Sequence, residues 1–262
     1  MATVLTVTNQ KGGVGKTTTI CALCGVFAAH KKKVLAIDLD PQGNMTFSLG
    51  AKDDGITIHN VITGKADIKD AIQHTSNNCD VISSNILLSG SELELTNVGR
   101  EYILKEKLEP IMGDYDYILL DTPPALSILT INAYIAASDL IIPMTPEILS
   151  LQGIAQLRDT IVAVKKYYNK ELNLRGILLT KYNPRYLLTR EVEDLVEIVA
   201  KQLDSQILKT KIGTSISAAE APAHQQTLAI YDPDSRASVD YFSLAEELYG
   251  LKRTKQKKKT EK

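Results

Sequence analysis

One loop near the start of the chain limits its possible folds more than any other feature. Asn9-Gln10-Lys11-Gly12-Gly13-Val14-Gly15-Lys16-Thr17-Thr18 follows a short β-branched run, Thr3–Thr8, and opens a helical stretch, Thr17–His30. Glycines at 12, 13 and 15 let successive backbone N–H groups turn toward one anion, and a helix starting there adds its positive dipole end. Lys16 stands where an ammonium reaches β- and γ-phosphate oxygens, and the Thr17 hydroxyl where it ligates a bridging magnesium ion. The ordinary phosphate-loop pattern G-x-x-x-x-G-K-[ST] fails at its first glycine, which here is Gln10. The loop reads instead K-G-G-x-G-K-T, with an extra lysine, Lys11, five residues before Lys16. No G-x-G-x-x-G can be drawn through these glycines, so the dinucleotide-binding fingerprint is excluded.

The rest of the chain repeats the same alternation. Short, almost continuously apolar runs predict strands at Thr3–Thr8, Val34–Asp38, Asp80–Ser83, Tyr117–Asp121, Leu140–Pro143, Leu174–Thr180 and Gln206–Lys209. Between them Thr17–His30, Arg100–Met112, Ile148–Tyr168, Thr189–Leu203 and Arg236–Tyr249 read as helices, with a short one near Glu92–Leu95. Strands apolar on both faces, alternating with helices, define an α/β class: a doubly wound, mostly parallel sheet of about seven strands flanked by helices. With 44% apolar and 23% charged residues, a chain of 262 can build an ordinary core and is not intrinsically disordered. No apolar run approaches the ~20 residues of a membrane span, and no basic segment precedes an apolar leader. Cys21, Cys24 and Cys79 make no disulfide framework, which fits a reducing cytoplasm. The net charge of −1 is uneven: residues 252–262 hold seven cations and one anion, a charge of +6, which leaves −7 on residues 1–251. The expected division is therefore a folded domain over 1–251 and a basic, disordered tail over 252–262. Any polyanion must be met by local patches or by that tail.

Carboxylates gather where ligands bind in open α/β sheets. Asp38 and Asp40 follow the second strand, and two residues apart on an extended segment both can point to one side; Gly43 then allows a sharp turn. The plain alternative, turn aspartates that satisfy local N–H groups, stays open for both. Asp121 ends the apolar run Tyr117–Leu120, where a charge is unfavourable unless it meets a cation or donors. The loop 11–18, the stretch Asp38-Leu39-Asp40-Pro41-Gln42-Gly43-Asn44, Tyr117–Pro124, Leu129–Ala133, and Glu220-Ala221-Pro222 with Tyr231-Asp232-Pro233 together resemble the ParA/Soj partition ATPases, of the deviant Walker A type, over residues 2–250. The resemblance implies a P-loop ATPase with ATP and Mg2+ as cofactors. It places the phosphates on Lys11, Gly12, Gly13, Val14, Gly15, Lys16, Thr17 and Thr18, the ion on Thr17 and Asp121 with Asp38 near its shell, and the attacking water on Asp40. It also sends Lys11 across a two-fold interface to the partner's ATP, so that nucleotide binding makes a homodimer and hydrolysis undoes it.

The same resemblance implies ATP-dependent, nonspecific DNA binding, a ParB-type centromere-binding partner, and a cytoplasmic, nucleoid-associated protein with no membrane role. Arg185 falls at a family DNA-contacting arginine, with Lys181 and Arg158 as further candidates. A second family arginine is Ser217 here, which removes a phosphate contact that Lys209, Lys211, Arg190 or the tail would have to replace. Two alternatives stand beside partition: a MinD-like membrane-positioning ATPase, and a nucleotide-gated regulatory adaptor. Cys21-x-x-Cys24 reads as buried packing on the helix after the phosphate loop, and the four histidines show no zinc spacing.

Overall fold

The computed structural model describes residues 1–253 and, for Glu92, Leu149, Gln152, Ala155 and residues 187–190, the backbone alone. Among the described residues seven strands form one sheet: β1 (Thr3–Val7), β2 (Val34–Asp38), β3 (Ile72–His74), β4 (Asp80–Ile82), β5 (Tyr117–Asp121), β6 (Asp139–Met144) and β7 (Asn173–Leu179). Their order is β3-β4-β2-β5-β1-β6-β7, and only β3 runs antiparallel to its neighbour. The helices are α1 (Lys16–Ala29), α2 (Asn44–Ser48), α3 (Ile58–Ile62), α4 (Ser91–Glu94), α5 (Ile103–Leu108), α6 (Ile128–Ala136), α7 (Ile148–Tyr167), α8 (Leu187–Gln202), α9 (Ser217–Glu220), α10 (Leu228–Tyr231) and α11 (Arg236–Tyr249).

Successive strand residues feed opposite faces, which is why the strands read as unbroken apolar runs. Leu35, Ile37, Ile118, Leu120, Leu140 and Ile142 join one core with α3, α5, α6, α7 and α8. Val34, Ala36, Leu119, Ile141, Leu5 and Val7 join the other with α1, α2, α10 and α11. This is the doubly wound sheet the sequence implies. Cys21, Cys24 and Cys79 lie buried in the second core as apolar packing, and burial pushes the thiols of Cys21 and Cys24 up.

Several elements depart from the sequence reading. Gln206–Lys209 is not a strand: it meets β7 only through an isolated bridge between Ile177 and Ile207. The next two amides, Lys209 N–H and Thr210 N–H, donate to the Glu247 carboxylate on α11 at 2.7 and 2.8 Å, so no ladder can continue. The seventh strand is instead β3, three partly polar residues at the sheet edge, too short and mixed to carry a period. Arg100–Met112 is broken into two 3-10 turns around α5, with Pro110 at the start of the second. Helix α6 spans the 129–133 motif, which no apolar period marks as a helix; Ser127 caps it by accepting the Leu129 N–H. Residues 254–262, most of the expected tail, lie outside the described residues, as does the Arg190 side chain.

The packing of α1 on the C-terminal segment has a tight point at Gly25. A Cβ placed there would lie 2.5 Å from Thr227 Oγ1 and 2.6 Å from Thr227 Cβ. Gly25→Ala is therefore expected to destabilise the fold by about 1–3 kcal/mol through overpacking, although alanine is the better helix former. Urea unfolding followed by circular dichroism measures this, and an unchanged or raised midpoint would contradict it.

Candidate nucleotide site

Strand order assembles the site. Because β5 lies between β2 and β1, Asp121 pairs in register with Asp38 on one side and with Val7, just before the glycine loop, on the other. All three chain ends leave the sheet at its carboxyl edge, where open α/β sheets bind ligands. The loop is pinned at several points. Asn9 Oδ1 accepts the Lys11 N–H at 2.9 Å while Asn9 Nδ2 donates to Pro143 O at 2.7 Å, and Thr180 Oγ1 donates to Val14 O at 2.8 Å. Gly13 and Gly15 take φ of 73° and 89°, left-handed conformations that a side chain would resist. Gly15 begins α1 with no side-chain cap, so the first-turn N–H groups remain for an anion.

A cleft of about 480 Å3 opens over this loop, lined by Gly12, Gly13, Gly15, Lys16, Thr17, Thr18, Asp40, Gln42, Asn44, Pro124 and Lys181. Lys16 is 8% exposed, and among the described residues its ammonium donates only to Lys11 O, at 3.3 Å. Burial lowers its pKa, against the opposing pull of Asp121 and Asp40. Thr17 Oγ1 donates to Asp121 Oδ2 at 2.7 Å, and Asp121 Oδ1 is buried with no hydrogen-bond partner. Burial first, then neighbouring Asp38, drives the Asp121 carboxyl well above the usual range; Thr17 and Lys16 act against the shift. A divalent cation suits such a place. It supplies positive charge to two crowded carboxylates, an orphaned oxygen awaits it, and a threonine hydroxyl stands beside it.

Asp38, which the resemblance sets near the ion's shell, is held by local donors. Its Oδ2 accepts from Thr46 N–H at 2.9 Å and Thr46 Oγ1 at 2.8 Å, and its Oδ1 accepts the Asp40 N–H at 3.0 Å. Both oxygens accept from local donors, so Asp38 also braces the turn. Burial nevertheless raises its pKa to about 6, with the Thr46 bonds acting in the opposite sense. Asp40 lines the cleft and accepts the Gln42 N–H on one oxygen at 3.0 Å.

The two loop lysines part company. Lys16 lies in the cleft, whereas the Lys11 ammonium turns to the start of α7 and is held by Glu147 Oε2 and by Ser150 Oγ at 3.0 Å. Neither Glu147 nor Ser150 was singled out in the sequence; a lone acid before a helix carries no signal without the fold. Of the DNA candidates, Lys181 lies in the cleft wall with φ of 50°. Arg185 borders an adjoining hollow of about 390 Å3 with Tyr182, Asn183, Pro184, Thr214 and Arg236. Arg158 is separate from both, on α7 and bonded to Asp159. Lys211 is paired with Glu193, and Ser217 donates to Asp232 Oδ2 at 2.7 Å. Among the described residues no group of three or more His, Cys, Asp or Glu forms a metal cluster, and no helix is long and apolar enough to cross a membrane.

Fold and site together define a P-loop ATPase with the deviant Walker A loop. A family model described as an AAA domain matches residues 2–174. The chain is 40% identical over 252 residues to the sporulation initiation inhibitor protein Soj of Bacillus subtilis, covering 95% of this chain and 98% of that one. It is 37% identical over 261 residues to the chromosome partitioning protein ParA of Caulobacter vibrioides, covering 97% of each. The chain belongs to the ParA/Soj family. Among solved structures, Mycobacterium smegmatis cobyrinic acid a,c-diamide synthase with an ATP analogue and magnesium superposes at a TM-score of 0.81 with 33% identity, over 98% of this chain and 100% of that one. The ATP complex of the Cyanothece McdA D38A variant does so at 0.85 with 25% identity, over 97% and 99%.

The raised carboxylates give a signed prediction. Their folded pKa values exceed the unfolded ones, so the folded chain retains protons that the unfolded chain has lost, and stability falls as pH rises through the Asp38 window from 3.8 to about 6. Asp121→Asn removes the carboxyl whose pKa burial raises further. It should melt higher than the unaltered protein at pH 7.5 in EDTA, with the difference shrinking at pH 5, and should lose the stabilisation that magnesium with ATP confers. Calorimetry in both buffers measures this; a variant that melts lower at pH 7.5 would refute the account.

Proposed function

We propose that this protein is a DNA-partition ATPase in which MgATP closes a sandwich dimer on nonspecific DNA and a ParB-type partner stimulates the slow hydrolysis that releases it. The single observation that carries the reading is the divergence of the two loop lysines. A cleft that serves one nucleotide needs one P-loop lysine, and Lys16 occupies it; Lys11 points away from its own cleft, where a second subunit's phosphates can meet it. Family membership and the partition names of the relatives support the cellular role.

In this reading ATP and Mg2+ are the cofactors, and residues 1–251 form the ATPase domain. The loop from Lys11 to Thr18 cradles the phosphates, with Lys16 on their β and γ oxygens and Lys181 as a further cation in the wall. Thr17 and Asp121 hold the ion, which supplies charge neutralisation on the phosphates. Asp40 orients the water, and Asp38 keeps Asp40 in place through its bond to the Asp40 amide. The hollow beside Arg185 takes the base. Arg185, Arg158 and the basic C-terminal end are the DNA contacts.

Four measurements test this. Lys11→Ala is expected to bind MgATP as a monomer within about 3-fold of the unaltered protein yet show no ATP-dependent dimer in light scattering; an undiminished dimer would refute the lysine's role. Asp40→Ala should keep the dimer and lower turnover by roughly 100-fold or more. Full-length protein titrated with duplex DNA in low salt should bind with MgATP and not with ADP, and the affinity should fall steeply with added salt. Indifference to DNA under those conditions would remove the partition assignment. Liposome sedimentation with ATP separates it from the membrane alternative.

A further inference from the structure

The glycine loop is oriented from outside itself. The peptide that joins Val14 to Gly15 is trans and planar, so its carbonyl and its N–H point to opposite sides of the chain. On the buried side, Val14 O accepts the Thr180 hydroxyl at 2.8 Å. The Gly15 N–H therefore faces the other side, the cleft that Gly15 lines. Among the described residues that N–H has no acceptor in the protein.

Nothing within the loop fixes this orientation. Gly13 and Gly15, both at positive φ, flank Val14, and glycine takes such values at no steric cost, so a swing of the peptide meets little resistance from the loop itself. Reversed, the peptide would turn the Val14 oxygen toward the cleft and set a partial negative charge against an incoming phosphate. Thr180 removes that freedom, and it is held firmly enough to do so. It follows β7 directly, and its own N–H donates to Met144 O, at the end of β6, at 2.8 Å. Its neighbours are tied to a single residue: Ile212 N–H donates to Leu179 O at 2.8 Å, and Tyr182 N–H donates to Ile212 O at 2.9 Å. The hydroxyl also reaches Met144 O, at 3.3 Å, but that oxygen already holds the Thr180 N–H, and the shorter bond is the one to Val14. The methyl group adds contact, since a Cβ on Gly15 would lie 3.7 Å from Thr180 Cγ2. One side chain thus lends the rigidity of the sheet to the most mobile peptide of the loop.

We propose that Thr180 is a positioning residue for nucleotide binding, holding the peptide between Val14 and Gly15 so that the Gly15 N–H meets a phosphate oxygen. It touches no part of the nucleotide and acts through Val14 alone. A donor set in advance needs no rearrangement when the anion arrives, and its contribution to affinity lies there. The inference rests on the nucleotide reading of the cleft. A hydroxyl that merely satisfied a buried carbonyl would matter to stability and not to phosphate.

The test uses the full chain and two substitutions. Thr180→Val keeps the shape of the side chain and removes the donor; Thr180→Ser keeps the donor and removes the methyl. Fluorescent N-methylanthraniloyl-ADP with magnesium is expected to bind Thr180→Val about 10-fold more weakly than the unaltered protein, and Thr180→Ser within about 2-fold of it. NMR reads the atom itself. Isotopic labelling of valine carbonyls and glycine amides leaves two Val–Gly pairs visible, Val14-Gly15 and Val98-Gly99, which Gly99→Ala tells apart. On saturation with MgADP the Gly15 amide proton should move downfield in the unaltered protein, lose most of that shift in Thr180→Val and regain it in Thr180→Ser, while Gly99 stays in place. A Gly15 amide that does not move with ADP bound overturns the proposal, even where Thr180→Val fails to fold. Equal ADP affinity in Thr180→Val overturns it too, and if that variant also melts lower the hydroxyl is purely structural. Thr180→Ser as weak as Thr180→Val shows that packing, and not the hydrogen bond, matters, and overturns it as well. An unaltered protein that binds no ADP overturns the nucleotide reading itself.

Discussion

Two carboxylates buried side by side at the carboxyl edge of the sheet are what the surrounding chain has to answer. Register forces the contact, since Asp38 and Asp121 are partners across β2 and β5, and both are essentially removed from solvent. Like charges a few ångströms apart in a medium of low polarity repel by several kcal/mol even at an effective dielectric near 20. The chain meets the two halves of this problem differently. Asp38 receives three local donors and becomes the brace of the 40–46 turn, while Asp121 keeps one oxygen without a partner and turns the other to Thr17. The deficit left on Asp121 suits a cation, and in the proposed function magnesium arriving with the nucleotide would relieve it.

Much of this is legible in the sequence alone. The glycine loop between an apolar strand and a helix fixed the fold class, because few chain geometries use three glycines there and Lys16 at once. Asp121 was legible because a charge ending four apolar residues needs a reason. What escaped was of two kinds. Elements under five residues or without period, such as β3 and the broken 100–112 segment, carry no pattern for local reasoning to find, and the 206–209 run looked like a strand because its interruption comes from Glu247, far along the chain. Partnerships between distant residues were equally hidden. That Asp38 spends its oxygens on Thr46, or that Lys11 meets Glu147, depends on loops from different strands converging at one edge.

The convergence explains how one small ligand can govern the whole edge. Loops after β1, β2, β4, β5, β6 and β7 all end within this region, and each is tied to its neighbour by a side chain: Asn9 to Pro143, Thr180 to Val14, Thr122 to Val7, Thr46 to Ser84. Such ties bond the glycine loop to Thr180, just before the 181–185 segment, and link Ser84 through Thr46 and Asp38 to the Asp40 amide.

Lys11 shows why the proposed switch requires two subunits rather than one. Its bond to Glu147 is an ion pair with 32% and 57% of the two side chains exposed, a class that contributes about 0–1 kcal/mol. A charge-assisted bond to a phosphate oxygen inside a closed interface contributes roughly 1.5–3 kcal/mol. Exchange of Glu147 for phosphate is thus downhill, but only when a second subunit delivers the phosphate, since the lysine's own cleft is served by Lys16 from the inside. The weak pair points Lys11 outward at little cost, and in the proposed switch the stronger contact would be available only to the assembled form, so that the free energy of nucleotide binding would be converted into association.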